Sequence, residues 1–268
     1  MKSSDGIEPL DDDERYVWSF DQRDLDNPNK MAFTRLVYME RVAYIIKTVK
    51  RFLPLGAKIA DIGCAQGNIA ITLAEFGYRV DAFDLNASFL SYGSKKYERG
   101  DLTWHGGNIF DLVEESESFD GIVLGEIVEH VAHPDALIRR CVGLLQPGGV
   151  LVVTTPNGRY IRERLPSYSD IIASGDLPRI EEQQFGPGGE HHLFAYTLLE
   201  LRSHVPPNSQ LIHVGYLGSG LLNSHVQRLL DTPYLGKTYG RLAVSCTRLP
   251  LIRTLVSLSL VLVIRRSL

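Results

Sequence analysis

Paired cysteines, a basic excess and long apolar runs are all missing from this chain, and each absence closes off a class of function. Cys64, Cys141 and Cys246 are its only cysteines. They stand far apart, odd in number and in no metal-like pair, so a reducing, cytoplasmic compartment is expected. Its 28 lysines and arginines face 32 aspartates and glutamates, a net charge of −4. A nucleic-acid binder usually needs a basic field, so no nucleic-acid partner is expected. No uninterrupted apolar segment approaches the length that crosses a bilayer. Met1 to Glu14 is polar and acidic, unlike a secretory signal.

What is present suits one large α/β domain. Apolar residues make up 44% of 268 residues and charged residues 22%, ordinary for a globular protein. Residues 1–28 read as an acidic, flexible arm carrying Tyr16, Trp18 and Phe20. Residues 29–268 read as a single domain. A helical pattern runs from Asn29 to Leu53, with Leu36, Met39, Ala43, Ile46, Val49 and Leu53 at three- and four-residue steps. Pro54 and Gly56 end it.

Strand and helix signals then alternate. Strands are expected at Lys58–Ile62, Tyr78–Asp84, Leu102–His105, Phe119–Leu124 and Val150–Thr154. Helices are expected at Asn68–Phe76, Ala87–Arg99 and Pro134–Leu145. Such short links imply a Rossmann-like, doubly wound, mostly parallel seven-stranded sheet with helices on both faces. Residues 159–189 and 218–257 read as cap or insert regions. Thr197–His204 suggests a short helix and Gln210–Leu217 a strand. Leu258–Ile264 reads as the closing strand. The rival reading makes Leu249 to Ile264 an amphipathic tail in peripheral contact with a membrane.

The most informative stretch is Lys58-Ile-Ala-Asp-Ile-Gly-Cys-Ala-Gln-Gly-Asn68, followed by Asp84 after a second apolar run. It reads as strand, glycine turn and helix start, then a strand ending in a carboxylate: the layout of a nucleoside-cofactor site. Gly63 lets the backbone leave the strand, and Gly67 is expected to clear space for a ligand approaching the main chain. Asp84 can accept two ribose hydroxyls. A dinucleotide fingerprint would put glycine at 65 and 68, where the chain has Ala65 and Asn68.

The turn resembles the acid-x-Gly-x-Gly-x-Gly loop of class I S-adenosylmethionine-dependent methyltransferases. Ala65 replaces the middle glycine, an exchange expected to cost little space. Two later segments extend the resemblance over roughly residues 40–160. Ser118-Phe-Asp-Gly-Ile-Val-Leu-Gly-Glu-Ile-Val-Glu-His-Val-Ala-His-Pro134 and Leu145-Gln-Pro-Gly-Gly-Val-Leu-Val-Val-Thr-Thr-Pro-Asn157 are similar to the branch that includes ubiquinone-biosynthesis O-methyltransferases. The resemblance implies S-adenosyl-L-methionine as cofactor. It implies contacts from Asp61, Gly63, Cys64, Ala65, Gly67, Asp84, Leu85, Asn108, Ile109 and Glu126, with Asn108 and Ile109 at the adenine.

The implied reaction is O-methylation of a small molecule or of a glycan- or lipid-linked intermediate. Alignment and a dry pocket do most of the work, because the methyl group is already activated. His191, His192 and Glu126 are the candidate bases. Glu126, Glu129, His130 and His133 have short Glu/His spacings, but HExxH order is absent, and no metal is expected. Two rival classes remain: a nicotinamide-dependent oxidoreductase on a similar sheet, and a non-catalytic regulatory protein. Intact Asp61, Gly63, Gly67 and Asp84 count against the second.

Overall fold

The computed structural model describes residues 1–9, 11–22, 25, 32–111, 119–184, 192–219, 245, 249 and 252–268. His191 and most of the 218–257 insert therefore lie outside the described residues. The strands are β1 Lys58–Ile62, β2 Arg79–Asp84, β3 Asp101–Gly106, β4 Phe119–Gly125, β5 Leu145–Pro156, β6 Ser209–Ser219 and β7 Ser257–Arg266. They form one seven-stranded sheet in the order β3-β2-β1-β4-β5-β7-β6. The α/β class and the seven-stranded sheet are as expected, and the sheet is mixed. β1 pairs parallel with β2, and β2 parallel with β3. β7 runs antiparallel to both β5 and β6.

The chain divides into two compact units. Met1–Val123 belongs to the first, and Leu124–Leu221 with Ala243–Leu268 to the second.

In the first unit, β1 is buried on both faces from Ile59 to Ile62, the pattern of an interior parallel strand. The helices of this unit are α1 Asp12–Asp21, α2 Ala32–Phe52, α3 Asn68–Glu75 and α4 Ala87–Lys96. Helix α1 corrects the expectation of a flexible arm. The Asp11 side chain caps it by accepting from the Glu14 amide at 2.8 Å, and Asp12, Asp13 and Glu14 complement its dipole. Val17 joins Ile7 and Tyr92 in a small apolar cluster, with Trp18 and Phe89 against it. Glu14 is buried, accepts from the Ser91 hydroxyl at 2.6 Å and pairs with Lys95. The acidity that suggests an exposed arm is in part buried and paired.

In the second unit, the helices are α5 Pro134–Leu144, α6 Tyr168–Ser174, α7 Leu177–Gln183, α8 Leu198–Ser203 and α9 Arg253–Val256. The 159–189 region, expected as an irregular cap, thus contains two short helices. Ser167 and Asp170 form a capping box for α6, and α7 carries a proline in its first turn. Leu260, Val261, Leu262 and Val263 of β7 are fully buried, so 257–264 is a strand of the sheet. That overturns the membrane-tail reading for those residues, because side chains packed in a sheet interior cannot enter a bilayer. No described helix is long and apolar enough to cross a membrane.

Candidate cofactor loop and acid–histidine cluster

The first unit holds the glycine loop. β1 delivers Asp61, and the chain then turns through Gly63, Cys64, Ala65, Gln66 and Gly67 into α3. The Cys64 amide donates to the Phe83 carbonyl at 2.9 Å, and the Gly67 amide to the Cys64 carbonyl at 2.8 Å. Asp84, at the end of β2, takes the Ala65 amide on Oδ2 at 2.8 Å and the Asn86 amide on Oδ1 at 2.9 Å. Its carboxylate therefore pins the loop to the neighbouring strand. An ionised carboxylate has about four acceptor positions, so the neighbouring amides leave capacity for a further donor. Burial raises the Asp84 pKa, while the Asn86, Ala65 and Leu85 amides oppose the shift.

Asp61 is the most perturbed group in the loop. It is 2% exposed, and its Oδ2 meets no hydrogen-bond donor. Burial is the main cause that pushes its carboxyl up to about 7. The Ala70 amide pulls it down and the Asp84 charge adds to the rise. A buried polar atom left without a partner costs on the order of 1–3 kcal/mol.

Two residues of the loop carry constraints that sequence spacing does not announce. Ala65 costs little space, yet it adopts φ +46°. That left-handed geometry disfavours any side chain but is free for glycine. Ala65→Gly is expected to raise stability by about 1 kcal/mol, measured as a higher urea midpoint at unchanged slope; an unchanged or lower midpoint would show that the turn is not strained there. At Gly67 the lack of a side chain also serves packing. A Cβ there would lie 2.3 Å from Trp104 Cη2, and one at Gly93 2.7 Å from the same atom. The indole of Trp104, which no sequence motif singles out, takes the space.

The remaining loop candidates differ in character. Leu85 follows Asp84 and is 56% exposed. Ile109 is buried. Asn108 Oδ1 accepts from the Phe110 amide at 3.1 Å, capping the short turn Ile109–Asp111. Cys64 is a buried free thiol, held well above the usual thiol range first by burial, then by the Asp61 and Asp84 charges.

The second unit holds the other candidates. Glu126 follows β4 at φ +60°, a conformation that marks functional turns, and its amide donates to the Thr154 carbonyl at 2.9 Å. Three residues on, Glu129 is fully buried. Its Oε2 accepts from the Thr155 hydroxyl at 2.9 Å. Its Oε1 lies 3.8 Å from His192 Nε2 and 4.0 Å from His130 Nε2. The two imidazoles meet edge to face at 5.0 Å. Of the short-spaced quartet, only Glu129 and His130 join this group. His133 points to Glu181 instead, at 2.6 Å. The ligand atoms of Glu129, His130 and His192 lie within 4.8 Å of one another, a donor set of the kind that divalent cations accept. Sequence spacing misses His192 as Glu129's neighbour because it is supplied from a distant segment.

Residues 60–153 match the family described as methyltransferase domain. The ubiquinone biosynthesis O-methyltransferase of Xanthomonas campestris pv. campestris (strain B100) is 30% identical over 173 residues, which cover 58% of this chain and 70% of that protein. The chain belongs to the methyltransferase domain family. The corresponding enzyme of Xanthomonas axonopodis pv. citri (strain 306) is 32% identical over 146 residues, or 47% of this chain. That match spans 61% of the Xanthomonas axonopodis protein's own length. Among solved structures, the plantazolicin methyltransferase BpumL in complex with SAH superposes with a TM-score of 0.53 at 14% identity, covering 97% of this chain and 92% of that chain. At that identity the likeness is one of fold.

Proposed function

We propose that this methyltransferase uses S-adenosyl-L-methionine to methylate a hydroxyl of a small molecule or of a glycan- or lipid-linked intermediate. The observation that carries the cofactor assignment is Asp61. A buried carboxylate with one oxygen lacking a donor, beside a turn of left-handed residues, fits a ligand that brings N–H or O–H groups. Asp84 retains acceptor capacity at the end of β2, where open α/β sheets bind ligands. Asp61 and Asp84 would hold the cofactor, with Gly63, Cys64, Ala65, Gly67 and Leu85 lining it and Asn108 and Ile109 toward its adenine.

When bound, the cofactor would supply an activated methyl group on a sulfonium, for transfer to an acceptor oxygen with S-adenosylhomocysteine as the leaving group. The chain's own residues have less to do. They exclude water, fix the acceptor and take one proton. In the second unit, His192 Nε2 is the base we favour, because buried Glu129 stands 3.8 Å away and Thr155 fixes that carboxylate. Glu126 and His191 are the alternatives. The two buried free thiols, Cys64 and Cys141, fit work in the cytoplasm.

Calorimetry with S-adenosylhomocysteine and, separately, with NAD tests the cofactor reading. Binding of the first and not the second is expected; the reverse would restore the oxidoreductase reading. Asp84→Ala is expected to weaken S-adenosylhomocysteine by about 1.5–3 kcal/mol, the scale of hydrogen bonds to a charged acceptor. Unchanged affinity in a folded variant would remove Asp84 from the site. Transfer of labelled methyl to a candidate acceptor tests the O-methylation reading.

A further inference from the structure

The geometry points to Asp21, at the end of α1, as a positioning residue that holds the cofactor loop in its working shape. This inference rests on the loop at 63–67 being the cofactor loop. An acid in the last turn of a helix opposes the helix dipole, so Asp21 does not serve α1 itself. It is 1% exposed, and so is its partner Lys96, whose Nζ donates to Asp21 Oδ2 at 2.6 Å. Burying such a pair costs desolvation that apolar side chains of similar volume would avoid. Its use has to be sought in what it holds.

The other carboxylate oxygen answers that. Asp21 Oδ1 accepts from Asn68 Nδ2 at 2.9 Å and from Gln66 Nε2 at 3.2 Å. Gln66 and Asn68 flank Gly67, the residue at which the turn becomes α3, and both are buried. Lys96 also donates to Asn68 Oδ1, and Asn68 Nδ2 reaches the Tyr38 hydroxyl at 2.8 Å. One carboxylate thus ties the two polar side chains on either side of Gly67 to α4. Upstream in the same turn stands Ala65 in left-handed geometry. A turn with a non-glycine residue at positive φ persists only when its surroundings over-determine it. Asp21 supplies part of that constraint from outside the loop, on a segment far away in sequence.

The test compares two ways of loosening α1. Asp21→Leu with Lys96→Met replaces the ion pair by apolar side chains, so the protein stays folded while Gln66 and Asn68 lose their acceptor. Glu14→Gln weakens the tie of α1 to Lys95 and Ser91 and touches no loop residue. The double variant is expected to bind S-adenosylhomocysteine about ten-fold more weakly, the scale of losing charge-assisted hydrogen bonds. Its amides at 65–68 should exchange hydrogen faster. Glu14→Gln should lower the melting temperature and leave affinity and loop exchange unchanged. Wild-type affinity in the double variant, or equal weakening in both proteins, would overturn the proposal and leave α1 a merely structural helix. If the wild-type protein itself binds no S-adenosylhomocysteine, the cofactor reading fails and this inference falls with it.

Discussion

Deleting residues 257–268 is expected to yield no soluble, folded protein. β7 lies between β5 and β6, pairing Val150–Pro156 on one side and Ser209–Ser219 on the other. Its removal strips hydrogen-bond partners from both strands. It also removes Leu260, Val261, Leu262, Val263 and Ile264, none more than 1% exposed. Each buried aliphatic side chain is worth roughly 1.5–3 kcal/mol, so five of them rival the whole stability of a typical domain, about 5–15 kcal/mol. A milder change, Leu262→Ala, should cost about 2–5 kcal/mol, read from urea denaturation. A truncated protein that stays soluble and melts cooperatively would refute the placement of β7.

Asp61→Asn is expected to stabilise the ligand-free protein above neutral pH while weakening cofactor binding. The folded pKa of Asp61 is raised to about 7, against an ordinary value of about 3.9 in the unfolded chain. A raised carboxyl binds a proton on folding. Its contribution is complete below about pH 4 and is lost as pH climbs through about 7. A gap of about three units corresponds to roughly 4 kcal/mol at most. The asparagine variant has no proton to lose, so its stability curve should be flatter between pH 4 and 7 and should cross above the wild type. Denaturation of both proteins at pH 5 and pH 8 checks this; parallel curves would show that Asp61 does not titrate there. A ligand that donates to Asp61 Oδ2 favours its ionised form. Binding to the wild type should then release a proton near neutral pH, seen as a dependence of binding heat on buffer.

The sequence is most legible where the chemistry is local. The run from Lys58 to Asp84 contains strand, turn, helix and strand within a few residues of one another, and the structure places all four as read. It is least legible where distant segments meet. Acidity in residues 11–21 suggests a solvated arm, because composition alone does not reveal that Glu14 has Lys95 and Asp21 has Lys96. At Gly67 nothing local announces that Trp104 packs where a Cβ would stand. Glu129 stands in a short Glu/His cluster, but its neighbour His192 comes from beyond α7 and no spacing rule links them. Ser167 and Asp170 are the exception. Their capping box is a local signal, masked by the proline, glycine and charge that make the surrounding stretch read as irregular.

The position of β7 also bears on how the protein comes off the ribosome. β5 and β6 are both synthesised before the strand that separates them in the finished sheet. Until Ser257–Arg266 emerges, each carries an open edge that would template pairing with another nascent chain. Val150 must wait for Arg265, a long-range pairing of the kind that forms slowly. Expression at lower temperature or with chaperones that shield strand edges should raise the soluble yield, by lengthening the time over which the last strand can insert.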